Sequence, residues 1–70
     1  MSWKAKIGQL VWCQATAMPY PILGIVTGYG IYTQIYVEIP GDNAHIQHAF
    51  FEEHITLASM EEVTAYILEN

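Results

Sequence analysis

Two prolines bracket a tyrosine at Pro19-Tyr20-Pro21, with a strand-like stretch on either side. Proline has no N–H to give a sheet ladder and fixes φ near about −65°, so no central strand can run through this point. Residues 8–26 must therefore read as strand, loop, strand. From Ile7 the first stretch is strand-like, with Leu10 and Trp12 alternating with Val11 and Cys13, the period of a pleated strand. That alternation puts Val11 and Cys13 on the core face. It turns Trp12 outward. Residues 22–27 resume as a second strand, and Gly24 inside it predicts a bulge or a close backbone approach.

The remaining chain continues this short-strand pattern after a polar lead-in over residues 1–6. Gly28-Tyr29-Gly30 marks a turn. Residues 31–39 then alternate, with Ile31, Thr33, Ile35, Val37 and Ile39 on one face and Tyr32, Gln34, Tyr36 and Glu38 on the other. Pro40-Gly41-Asp42-Asn43 is a turn, and a fourth strand runs through His45, Gln47 and Ala49 to Phe51. Glu52-Glu53-His54 reads as a single tight turn of 3₁₀ type before a last strand over residues 55–58. Ser59-Met60-Glu61-Glu62 is a capping box, in which the serine and the glutamate each satisfy the other's backbone N–H. It opens a helix over residues 59–68, with Met60, Val63 and Ile67 on one face. A helix this short is marginal in isolation and has to pack on something.

Seventy residues make one domain, spanning 1–70. A domain of this size buries only about 60% of the surface its unfolded chain exposes. The single cysteine, Cys13, excludes an internal disulfide and agrees with a reducing cytosol. Hydrophobic residues are 53% of the chain and charged residues 13%, about half the usual charged share. One small core cannot hide that much apolar surface, so a homo-oligomer is expected, with Tyr32, Met60, Val63 and Ile67 at its interface. The net charge is −5, the only cations are Lys4 and Lys6, and arginine is absent. Phosphate neutralisation needs cations, so direct nucleic-acid binding is not expected. No long apolar run follows the two lysines and none reaches the length of a membrane span. No membrane association is expected, and the chain reads as soluble and cytoplasmic.

Five short strands with a tight turn before the last resemble the SH3-like small barrels. Gly8-Gln9-Leu10-Val11-Trp12-Cys13, then Pro19-Tyr20-Pro21, then Gly24-Ile25-Val26, are similar to the opening of PWWP and Tudor domains. The resemblance covers about the first 26 residues, with support from Phe50-Phe51 and Ile55-Thr56-Leu57. It implies a five-stranded SH3-like barrel with Trp12 near Tyr20; with the capped helix read above, the expected fold is mainly β, a five-stranded SH3-like barrel with a short C-terminal α-helix. The four-residue PWWP signature is replaced by Met18-Pro19-Tyr20-Pro21, and the basic surface of those domains is missing, so chromatin binding is not implied. Gln34-Ile35-Tyr36 is also similar to an element of the small trimethoprim-resistant dihydrofolate reductases, which are SH3-like tetramers. There the element precedes the final tight turn, a place held here by Gln47-His48-Ala49-Phe50.

For function, Trp12, Tyr20 and Tyr36 are the candidate ligand-binding residues. Together they could cage a cation or form a groove for a proline-rich peptide. The same aromatics could instead fill the core or a subunit contact. His45, His48 and His54 lack the close pairing that zinc requires, and no metal or other cofactor is expected. Cys13 has no cationic neighbour in sequence and reads as a buried, inert thiol. No nucleophile–base pair, phosphate loop or carboxylate pair stands out, so no catalytic residue is assigned. The chain reads as a non-enzymatic, self-associating interaction module with a protein or peptide partner. Its short, acidic character suits an accessory protein of a phage or mobile element. The alternatives are a structural subunit of an assembly, or a small oligomeric enzyme with a symmetric pore lined by Gln34 and Tyr36.

Overall fold

The computed structural model describes residues 3–41 and 46–69. Five strands form one antiparallel sheet: β1 (Leu10–Cys13), β2 (Ile22–Tyr29), β3 (Gln34–Glu38), β4 (Gln47–Phe51) and β5 (Ile55–Leu57). A 3₁₀ turn, Glu52–His54, joins β4 to β5, and helix α1 (Met60–Glu69) follows β5. The spatial order is β4-β3-β2-β1-β5. The class is therefore mainly β with one short C-terminal helix.

The expected closure into a barrel does not occur. β4 and β5 stand at opposite ends of the strand order, so the sheet is open. Closure needs both end strands to pair along their free edges. β5 is three residues long, is already paired to β1, and gives way to α1 almost at once. It has too little edge to reach β4.

One face of the sheet carries the core. Val11, Cys13, Val26, Ile35, Val37 and Ile55 are essentially sealed from solvent and form one cluster with Ala5. Trp3, Tyr29 and Phe50 pack against it. The alternation in β1 and β3 thus places its apolar rows as expected, with Trp12 and Tyr36 on the opposite face.

Several boundaries shift. Residues 3–6 are not a free polar lead-in. The rings of Trp3 and Tyr29 stack at 4.5 Å, and the Tyr29 hydroxyl donates to the Ala5 carbonyl at 2.7 Å. β1 starts at Leu10 rather than Ile7, because Gly8 has φ +90° and turns the chain there. β2 runs on through Gly28 and Tyr29, and the reversal falls at residues 30–33. There Tyr32 takes φ +58°, Gly30 N–H donates to Gln34 O, and Gln34 N–H donates to Ile31 O. Ile31 is consequently exposed in a turn instead of opening β3. The register irregularity of β2 lies between Val26 and Gly28, and Gly24 is the close approach. The Pro40-Gly41 part of the next turn is seen as such, while Asp42, Asn43 and His45 lie outside the described residues. Among the described residues, no helix is long and apolar enough to cross a membrane.

Candidate functional site

Trp12 stands on the outer face of β1, between Leu23 of β2 and Thr56 of β5. The backbone around it is held on both sides. Gln14 N–H donates to His54 O at 3.0 Å, and Ala58 N–H donates to Leu10 O at 3.2 Å. These bonds lock the end of β1 to the 3₁₀ turn and β5. Between them opens a cleft of about 410 Å³ lined by Trp12, Gln14, Pro21, Glu53, His54 and Thr56. Its walls are an indole, a pyrrolidine ring and an imidazole. Gln14, Thr56 and Glu53 supply amide, hydroxyl and carboxylate groups beside them. An apolar wall with a few polar groups is the usual make-up of a recognition site.

Helix α1 is moored at this cleft. The Trp12 indole N–H donates to the Glu62 carboxylate. Glu62 also closes the capping box: its side chain accepts from Ser59 N–H at 3.0 Å, and its own N–H donates to Ser59 Oγ at 3.1 Å. The Ser59 N–H, then the Trp12 indole, then the Ser59 side chain hold the Glu62 carboxyl below its ordinary value of 4.5. The carboxylate is thus kept charged at the positive end of the helix, where the dipole also favours it.

The three aromatics expected to wall one pocket are dispersed. Tyr20 is 69% exposed and is not among the lining residues, although its neighbour Pro21 is. The loop before it is pinned by Met18, whose N–H donates to Ala15 O and whose sulfur accepts from Ala15 N–H. Tyr36 pairs with Gly28 and Trp12 with Leu23, five positions apart on β2, on the order of 15 Å along a strand. Tyr36 shares the outer face but not the cleft. It lies over Gly30, where an added Cβ would come within 2.7 Å of its hydroxyl. Gln34 closes on the same glycine from the side, its Oε1 2.9 Å from that position.

The residues that join Trp12 instead are Gln14, Pro21, Glu53, His54 and Thr56. Thr56 and His54 reach it because the 3₁₀ turn brings the chain back beside β1, a long-range pairing that no local pattern displays. Glu52, in the same 3₁₀ turn, is half-buried and accepts from Lys4 N–H at 2.7 Å. His54 meets the Phe51 ring edge-on at 6.3 Å.

On α1, Val63 and Tyr66 are the half-buried positions, so the face turned to the sheet is Glu62, Val63 and Tyr66. Met60 and Ile67, helical neighbours of Val63 at three and four positions, are nonetheless 79% and 65% exposed, and Tyr32 is exposed on its turn. Cys13 is buried, and burial pushes its thiol up to about 11. Among the described residues, no three His, Cys, Asp or Glu side chains converge as a metal site would need. Compared with protein-family models, with curated proteins and with solved structures, the chain matches none of them.

Proposed function

We propose that this chain is a small, non-enzymatic interaction module of the SH3-like kind, which binds a protein or peptide segment in the cleft beside Trp12 and also self-associates. The cleft carries this reading. It sets an indole face and a proline next to polar groups able to bond a peptide backbone. The strand order and the 3₁₀ turn before the last strand are compatible with the small SH3-like fold that the sequence resembles. A ligand with a proline or a long cationic side chain fits best, since Glu53 lies in the cleft and the chain carries −5. The second reading, a structural subunit covered in an assembly, draws on the exposed apolar side chains of α1, Met60, Ile67 and Leu68.

Panning a displayed peptide library against the chain, with Trp12→Ala as the counter-screen, tests the first reading. A selected peptide should bind the variant at least about 1 kcal/mol more weakly, the usual threshold for an important contact residue. Thermal melting should show both proteins folded. Peptides that bind the folded variant equally well would move the site away from the cleft.

A further inference from the structure

The two end strands of the open sheet are guarded very differently. β5 bonds to β1 through His54, Thr56 and Ala58, as the Gln14-to-His54 and Ala58-to-Leu10 bonds fix the alternation. Its free edge therefore offers only the groups of Ile55 and Leu57 before the chain turns into α1. β4 is longer, and its alternation is fixed too. Glu52 N–H donates to Thr33 O at 2.8 Å, one rung beyond the Gln34–Phe51 pair. Gln34 O accepts from Gly30 on the β2 side, in the same phase. His48 and Phe50 thus bond to Val37 and Ile35, while the N–H and C=O groups of Gln47, Ala49 and Phe51 point away from the sheet. Nothing among the described residues pairs with that edge.

Edges of this kind are normally protected by charge, proline, a bulge or shortness. β4 reads Gln-His-Ala-Phe-Phe and has neither a charged residue nor a proline. It is flanked by exposed Ile46 and ends in exposed Phe51.

The geometry points to β4 as the seam between two copies of this chain, paired antiparallel about a two-fold axis through Ala49. The inference rests on the self-association within the function proposed above, not on the Trp12 cleft, and it moves the seam away from the helix face. The sequence of the edge is self-complementary about that axis. Ala49, the smallest side chain of β4, meets its own copy at a hydrogen-bonded rung. Gln47 meets Phe51 of the second copy on the outer face, and His48 meets Phe50 on the core face. No like charges face each other, and every outward backbone group of the three residues acquires a partner. Because each copy has one such edge, the pairing closes as a dimer. An unrelated partner strand would gain the same backbone bonds but not this match of side chains.

Analytical ultracentrifugation of the full chain and of two variants, Ala49→Lys and Ala49→Asp, tests the seam. Wild type should be dimeric at micromolar concentration. Each variant sets a like charge against itself on the axis and should dimerise at least about tenfold more weakly. An equimolar mixture of the two should restore the dimer, because opposite charges then meet. Amide exchange at Gln47, Ala49 and Phe51 in the wild type should slow as concentration rises, which keeps the test independent of how the variants fold. Dimers unaffected by either substitution, or concentration-independent exchange at those amides, would overturn the seam while leaving self-association standing. A wild type that stays monomeric, or that dimerises only with an added peptide strand on β4, would overturn both.

Discussion

Gly24 and Cys13 show how tightly single positions are determined here. A Cβ at Gly24 would lie 3.1 Å from Val37 Cβ and 3.2 Å from its Cγ2, closer than such atoms pack without movement. Val37 is fully buried and cannot swing aside. Gly24→Ala should therefore destabilise the fold by about 1–3 kcal/mol, the usual cost of overpacking a core, measured by urea titration. Cys13 poses the opposite question, since the position is well packed but its chemistry is suppressed. With the thiol pushed up to about 11 by burial, thiolate is scarce at neutral pH. A disulfide reagent added to the native protein at pH 8 should react far more slowly than with the urea-unfolded chain. Equal rates in the two states would show that β1 opens readily.

Among the elements, α1 depends most on local chemistry. None of its residues is fully buried, so packing contributes little and the cap contributes much. The Glu62 carboxyl titrates below its unfolded value, so its contribution is whole above about pH 4.5 and is lost as pH falls through the lower, folded value. The group is exposed, and the effect on global stability is correspondingly small. The local effect is larger. Acidification below pH 4 should reduce helix content and change Trp12 fluorescence together, and Glu62→Gln should remove most of that coupled change. A Trp12 signal indifferent to both would mean that the indole bond does not hold the helix. The capping box was legible in the sequence because it lies within four consecutive residues. The bond from Trp12 to Glu62 was not, because fifty positions separate its ends. The same distinction explains the strands. Ile35 and Val37 alternate locally and fall where expected, but Ile31 continues the same pattern into a turn fixed by Gly30, Gln34 and the positive φ of Tyr32. For the candidate site, Trp12 could be placed on its face from β1 alone. His54 and Thr56 come beside it only through the pairing of β5 with β1.

Across the whole molecule, a small apolar cluster on one face of an open sheet is held at its margins by two aromatic contacts of different kinds. Trp3 stacks on Tyr29 and belongs to the N-terminal segment that brings Ala5 into the core. Trp12 belongs to the opposite face and is tied to the helix. These are the only two tryptophans in the chain. The protein thus carries its own pair of optical reporters, one for the arm and one for the helix. Replacing either with phenylalanine isolates the other's emission, so each of the two attachments can be watched through a melt without any added dye. Coincident transitions would mark arm, sheet and helix as one cooperative unit, whereas a lower midpoint at Trp12 would identify α1 as a separately detachable element.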